Sequence, residues 1–413
     1  MVGLVIKCRA CGGNLAVTMA DLGMQPPSNA FLASLEDVAK EKRYPLRAKV
    51  CESCKLVQLD YDVDPQELFE NYVYFSSFSD EWLAHAQAYC EMARRRFSLG
   101  MDSQVVELAS NDGYLLKNFL HMGIPVLGID PSATVAVAAR SIGVPTLVEF
   151  FGVAVANRVV AQGQSADLII GNNVMAHVPL LNDFIAGMAL LLKPEGSVTI
   201  EFPHLLTLIE HVEFDTIYHE HYSYISLFAI EQVFARHGLR IYDVEELPTH
   251  GGSLRIYASL SSRAQLEDSE TLRLVRRKEE DAGLADLETY SRFAERVEES
   301  RRSLLAFFAA AKRDGKTIGA YGAAAKGNTL LNFCGVGRED VAMVADRNPH
   351  KQGKLLPGTH IPVVSPADLM RAQPDYVLIL PWNLEEEIRR QLHGISAWGG
   401  RFVTPIPVST IDP

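Results

Sequence analysis

From Gln104 to about Leu206 the chain alternates short aliphatic, β-branched runs with longer amphipathic stretches. QVVELA predicts a strand, YLLKNFLHMG a helix and IPVLGID a second strand. TVAVAARSIG predicts a helix and VPTLVEF a strand, and SADLIIGNN, DFIAGMALLLK and GSVTIEF continue as strand, helix and strand. Strands separated by helices of this length predict an α/β domain with a doubly wound parallel sheet. A second series begins at Lys316 with KTIGAYGAAAKGNTLLNFCG, VAMVADRN, IPVVS and DYVLILPWN, and predicts a separate, smaller sheet domain.

The flanking regions follow other patterns. Residues 1–70 are interrupted and rich in turn formers (CGG, MQPPSN, YPLR), so their organisation is expected to come from cysteines. After Glu81, WLAHAQAYCEMARRRF has helical spacing. Residues 214–260 hold the segment YHEHYSY, a helix over LFAIEQVFARHG and strand-like pieces LRIYDVEEL and SLRIYASL. Residues 265–312 are highly charged with helical periodicity and predict a helical connector or a helix pair.

At 413 residues the chain is long enough for two to four domains, and 48% hydrophobic with 22% charged residues is ordinary for a soluble protein. A net charge of −12 speaks against a nucleic-acid partner, although one pocket can still take a diphosphate. The start, MVGLVIKCRACGG, does not read as a signal peptide, and no apolar run reaches the roughly 20 residues that cross a bilayer. No membrane partner is expected. The reading is cytoplasmic, where paired cysteines point to metal or redox chemistry rather than to disulfides.

The pairs Cys8-x-x-Cys11 and Cys51-x-x-Cys54 are the most specific local signal. Two such knuckles can present four thiolates to one tetrahedral ion, which suits structural Zn²⁺ because no open position remains. The alternative is two unrelated turn pairs of free cysteines. Cys90 and Cys334 are expected in the core.

VVELASNDGYLL places an acidic residue, Glu107, at a strand end before a turn with Asn111 and Gly113, and the next strand ends at Asp130. That layout suits a nucleoside ligand whose ribose is accepted by a carboxylate. A single glycine argues against a pyrophosphate and suits S-adenosylmethionine, with Glu107 at the methionine end and Asp130 at the ribose. Asn172, Asn173 and His177 follow the fourth strand and would point at the same crevice. In the C-terminal unit Lys326 stands at a predicted helix start, where it could anchor a phosphate, and Asp346 ends the next strand. YHEHYSY, Tyr218 to Tyr224, concentrates proton carriers; of its two histidines, His219 is expected to be structural and His221 functional.

In this order, the CxxC…CxxC head with PPSNAFL, then YVYFSSFS, ELASNDGYLL, GNNVMAHV, YHEHYSY, HGGSLR, GAYGAAAKGNTLL and PWN resemble the bacterial nucleotide-sugar C-methyltransferases over nearly the whole chain. These act on dTDP-linked 4-keto-deoxysugars in the making of branched antibiotic and surface sugars. The resemblance implies a zinc-binding head over residues 1–70, a central S-adenosylmethionine-dependent methyltransferase domain over 71–262, and a helical connector with a Rossmann-like nucleotide-sugar domain over 263–413. It implies His221 as general base, supported by Tyr218 and Glu220. His177 and one of Tyr72 and Tyr74 would line the sugar, with the choice between the tyrosines open. Asn173, Tyr222, Arg255, Lys326, Asn328 and Asp346 are expected on the substrate, and a monomer is expected.

A methyl group moved to carbon needs a carbanion equivalent. A 4-ketone acidifies C3–H, and a histidine with a reference pKa of about 6.5 suits its removal at neutral pH. S-adenosylhomocysteine would be the by-product. Methylation of oxygen or nitrogen in a small metabolite, a non-catalytic zinc-headed nucleoside-binding protein, and a dehydrogenase are the competing readings.

Overall fold

The computed structural model describes residues 3–69, 80–263 and 265–411. Its first part contains β1 (Gly3–Leu4), β2 (Leu15–Gln25), β3 (Tyr44–Cys51), β4 (Val57–Leu59), β5 (Tyr61–Asp62) and α1 (Pro65–Phe69). On β3 the period of two is clear: Leu46, Ala48 and Val50 are buried while Arg47 and Lys49 turn outward. β2 is longer than the turn-rich sequence suggests, and it follows β3 only by means of register shifts.

The central part begins with α2 (Asp80–Arg96) and runs through β6 (Val105–Leu108), α3 (Leu116–His121), β7 (Val126–Ile129), α4 (Ala133–Ser141) and β8 (Thr146–Leu147). It continues with α5 (Val153–Ala161), β9 (Ala166–Asn172), α6 (Leu181–Leu191), β10 (Leu192–Pro203), α7 (Leu205–His211) and β11 (Ser223–Tyr224). α8 (Leu227–Arg236), β12 (Leu239–Leu247) and β13 (Ser253–Leu260) complete it. Seven strands form one sheet in the order β12-β13-β10-β9-β6-β7-β8. The five strands β6 to β10 are parallel, as the alternation predicts. The pieces LRIYDVEEL and SLRIYASL add an antiparallel hairpin, with β13 inserted between β10 and β12. The sequence reading also passed over α5 (VAVANRVVA), although its buried Val155, Ala156 and Val159 have helical spacing. The strand order reverses at β6, which pairs with β7 on one side and β9 on the other, so a ligand crevice is expected outside the carboxyl ends of β6 and β9.

The last part is a helix pair, α9 (Glu270–Asp281) and α10 (Leu287–Arg313), followed by a smaller sheet. Its elements are β14 (Ile318–Tyr321), α11 (Ala325–Cys334), β15 (Val344–Ala345), β16 (Val363–Val364), α12 (Pro366–Ala372), β17 (Tyr376–Ile379), α13 (Glu385–Gln391), β18 (Arg401–Thr404) and β19 (Thr410–Ile411). The order is β16-β15-β14-β17-β18-β19, parallel except for β19.

The three parts meet around residues 213–224. β11 leaves the central part to pair with β4 of the head, Ser223 opposite Gln58 and Tyr224 opposite Val57. Phe214 meets Phe333 of α11 edge to face at 5.4 Å, and one apolar cluster runs from β2 and β3 through α7 into α10 and α11. The far end of the segment is fixed where α8 begins. Ser226 accepts from Ala229 N–H, and the buried carboxylate of Glu279 on α9 accepts from Leu227 and Phe228 N–H at 2.7 Å each.

Candidate active site

His221 lies at the centre of this junction. Its Nδ1–H donates to the Thr216 carbonyl at 2.9 Å. A carbonyl can only accept, so the proton sits on Nδ1 and the lone pair on Nε2. The ring stands 4.0 Å from the Tyr218 ring and 4.7 Å from that of His177, centroid to centroid. Burial, with a smaller push from His177, holds the imidazole pKa well below its usual range, so the ring is neutral at pH 7. His177 is fixed in the same way, its Nδ1–H donating to the Glu220 carbonyl at 2.7 Å, and burial brings its pKa to about 4.

The segment turns here, with His221 N–H donating to the Tyr218 carbonyl at 2.9 Å, and its neighbours point away from the His221 ring. His219 packs edge-on against Tyr44 in β3, as expected, at 5.9 Å. Tyr222, expected on the substrate, is instead an anchor in the head. It is fully buried, its hydroxyl donates to the Val63 carbonyl at 2.8 Å, and the Arg9 guanidinium lies 5.6 Å from its ring centroid. Its N–H donates to the Ala176 carbonyl at 2.8 Å, which ties the segment to the turn carrying His177.

The Glu220 carboxyl is buried, and burial lifts its pKa to about 7. The Asn29 amide reaches both its oxygens at 3.1 Å and opposes that rise. Asn29 belongs to the PPSNAFL motif, to which the sequence reading gave no role; the motif was the signal available. Beside it, Ser28 Oγ meets Thr329 Oγ1 of α11 at 3.2 Å.

The opposite side of the junction carries His250, Lys326 and Trp382. Lys326 lies in the first turn of α11 as expected, and its ammonium reaches the His250 carbonyl at 3.5 Å, beside Asn383 Oδ1 at 3.1 Å and the Trp382 ring centroid at 4.4 Å. Burial lowers its pKa, while Asp215 and Glu213 act to raise it. Those two acids are themselves buried, which lifts Glu213 to about 7 and Asp215 to about 6. Trp382 and His250 are functional candidates that sequence reasoning passed over within PWN and HGGSLR. Arg255, from the same HGGSLR motif and expected on the substrate, is committed elsewhere. It is 3% exposed, pairs with Glu201 at 2.7 Å and Glu245 at 2.9 Å, and lies over the Tyr89 ring. Its place on β13 inside the central sheet explains this, because a guanidinium there requires carboxylate partners.

Outside the carboxyl ends of β6 and β9 the turn residues make a polar crevice. Asp130 accepts from Asn111 N–H at 2.9 Å and from Ser132 N–H at 2.8 Å, which shapes the loop and leaves lone pairs for a ligand's hydroxyls. Glu107 is 1% exposed, and its Oε2 has no partner among the described residues; burial holds its pKa well above the usual range. The amide atoms of Asn173 and Oδ1 of Asn172 are likewise buried without partners. Orphaned acceptors and donors at a sheet's switch point fit a polar nucleoside ligand such as S-adenosylmethionine. Gly113 answers a different need: Val144 and Ala139 fill the space where a Cβ would stand.

In the C-terminal part Asp346 shapes its own loop, accepting from Ala323 and Asn348 N–H at 2.9 and 2.8 Å. Asn328 is buried, and neither amide atom of its side chain has a partner among the described residues. Tyr72 and Tyr74 lie outside the described residues.

The four cysteines of the head come together. Cys8 Sγ lies 3.5 Å from Cys54 Sγ, Cys11 Sγ lies 3.4 Å from Cys51 Sγ, and all four sulfurs lie within 4.8 Å of one another. They are free thiols, not disulfides. The hydrogen bond from Cys54 draws Cys8 down to about 5 while Cys54 is driven up, so the cluster accommodates thiolate charge. A side chain at Gly13 would stand 3.2 Å from two of the sulfurs, so glycine keeps the knuckle closed. Four sulfurs with no other donor fit structural Zn²⁺. Cys90 and Cys334 are buried core residues, as expected.

Three family descriptions match in succession: "Putative zinc binding domain" over residues 8–69, "Methyltransferase domain" over 82–244 and "C-methyltransferase C-terminal domain" over 248–407. The C-methyltransferase NovU of Streptomyces niveus is 34% identical over 401 residues, covering 97% of this chain and 95% of that protein. Among solved structures, a Pyrococcus horikoshii protein aligns at TM-score 0.38, 16% identity, 48% of this chain and 96% of that one. The Synechocystis magnesium protoporphyrin IX methyltransferase with bound SAM aligns at 0.35, 14% identity, 48% of this chain and 99% of that one. No helix among the described residues is long and apolar enough to cross a membrane. Matched along nearly its full length and in all three of its parts, the chain belongs to the sugar C-methyltransferase family and is an S-adenosylmethionine-dependent C-methyltransferase.

Proposed function

We propose that the enzyme methylates C3 of a dTDP-linked 4-keto-deoxysugar and that His221 is the base. The observation that carries this reading is the Nδ1–H bond to the Thr216 carbonyl, which leaves a neutral imidazole with its lone pair on Nε2. In this reading Nε2 takes the C3 proton, and the C–H electron pair moves into the ketone as an enolate. S-adenosylmethionine supplies the methyl group to that carbon and leaves as S-adenosylhomocysteine, and the ketone re-forms. His221 then gives its proton to water.

Tyr218, His177, Asn173 and one of Tyr72 and Tyr74 line the sugar, and Glu220 acts beside the base. Glu107, Asn111, Asp130 and Asn172 hold the methyl donor. Lys326, Asn328 and Asp346 serve the nucleotide. Residues 1–70 carry the zinc, 71–262 the donor and 263–413 the nucleotide sugar, so one chain suffices as a cytoplasmic monomer.

The test is a mass-spectrometric screen of dTDP-4-ketosugars with S-adenosylmethionine, followed by NMR of the product. A new methyl on C3 is expected. His221→Asn should nearly abolish both methylation and C3 proton exchange while the methyl donor still binds. A methyl on oxygen or nitrogen, or near-normal turnover of His221→Asn, would overturn the reading.

A further inference from the structure

His221 is oriented through the Thr216 carbonyl, and the turn bearing that carbonyl is held from another part of the chain. Phe214–Thr216 is a single 3-10 turn closed by Thr216 N–H to the Glu213 carbonyl at 3.0 Å and Ile217 N–H to the Phe214 carbonyl at 3.0 Å. The Thr216 hydroxyl adds a bond to the Glu213 carbonyl at 2.7 Å. Asp215, in the middle of the turn, is fully buried, and its Oδ2 accepts from Trp382 Nε1–H at 2.8 Å across 167 residues of sequence.

The indole is itself confined. Its face carries the Lys326 ammonium, and its edge fills the space beside Gly251. A Cβ at Gly251, where φ is +97°, would stand 2.8 Å from the indole and 2.8 Å from Glu213 Oε1, so glycine is what lets the ring lie there. Trp382 follows β17 by three residues, at the carboxyl end of the smaller sheet, where an open α/β sheet takes its ligand.

We propose that Trp382 is a positioning residue for methyl transfer: by holding Asp215 it fixes the Thr216 carbonyl, and through it the tautomer and orientation of the His221 ring. The catalytic part of this inference rests on His221 being the base. The C-terminal part thereby completes the base as well as holding substrate, and a shift of the turn after β17 is felt at Nε2.

The variants are Trp382→Phe, which keeps an apolar ring beside Lys326 and loses the donor, Asp215→Leu, which loses the acceptor, and Asp215→Asn, which keeps an acceptor oxygen. The first readout uses the full chain with zinc and S-adenosylhomocysteine, without sugar, and ¹⁵N-histidine NMR. The wild type should show a single protected Nδ1–H tautomer for His221. Trp382→Phe and Asp215→Leu should show exchange broadening or both tautomers, and Asp215→Asn should resemble the wild type.

The second readout is turnover. Both disrupting variants should lose about tenfold or more in kcat, as a misplaced base does, with KM for the sugar nucleotide changed less than about twofold. An intact tautomer in both disrupting variants overturns the proposal, whatever their turnover. Loss of S-adenosylhomocysteine binding in Trp382→Phe also overturns it, since the residue then holds the fold and not the base. If no dTDP-ketosugar turns over even in wild type while the NMR result is as expected, the substrate assignment has failed and this inference stands.

Discussion

Tyr222→Phe separates an anchor from a substrate contact. The substitution keeps the ring, its buried apolar area and its place near Arg9, and removes one hydroxyl. That hydroxyl donates to the Val63 carbonyl at 2.8 Å in an environment closed to water. Leaving a buried carbonyl unpaired costs about 1–2 kcal/mol. The cost falls on local opening of the strand pair that ties the segment to the head, where Leu59 N–H donates to the Tyr222 carbonyl at 3.1 Å and Tyr222 N–H donates to the Ala176 carbonyl at 2.8 Å. A change of that size corresponds to roughly 5- to 30-fold faster opening of these amides, readable by hydrogen exchange on peptides covering residues 57–60 and 218–224. The KM for the sugar nucleotide should stay within about twofold, and kcat should fall only a few-fold through slack one residue from His221. Unchanged exchange together with a tenfold rise in KM would place the hydroxyl on the substrate and refute the anchor.

Three further outcomes follow from the same geometry. Asn29→Leu removes the donor that favours ionised Glu220, whose pKa of about 7 should then rise, so the acidic limb of the kcat/KM profile should move to higher pH; an unmoved limb would separate Glu220 ionisation from catalysis. A strong chelator should release one zinc per chain by atomic emission, make four more thiols titratable and loosen the β4–β11 pairing, since β4 starts just beyond Cys54; a preparation without zinc would contradict the ligand set. Glu213→Gln tests linkage: burial raises this carboxyl from 4.5 to about 7, so the fold favours its protonated form, and that contribution is complete below about 4.5 and lost as the pH rises through 7. Denaturant midpoints should show the variant more stable at pH 8, by on the order of 3 kcal/mol, and unchanged near pH 4.5.

Local pattern made much of the architecture legible. The strand and helix alternation from Gln104 gave the parallel strands β6 to β10, and the series from Lys316 gave the smaller sheet. It passed over α5, although Val155, Ala156 and Val159 have helical spacing, and nothing in SLRIYASL tells that β13 enters the sheet between β10 and β12. The site divides in the same way. The motif pointed to His221, but the turn closed by His221 N–H on the Tyr218 carbonyl, which leaves His219 against Tyr44 and Tyr222 on the Val63 carbonyl, is not legible in the segment.

By itself the sequence determined what chemistry is available: paired cysteines at a spacing that closes on one ion, acids at the ends of two strands, and a histidine-rich segment between two sheet domains. These are encoded within a few residues, where bond geometry and periodicity act directly. Only the tertiary structure decided which of these groups is poised and which is spent. Asn29 reaches Glu220 across 191 residues, Trp382 reaches Asp215 across 167, and Arg255 is consumed by Glu201. Such pairings depend on how three separately patterned parts pack, and so does the burial that keeps His221 neutral.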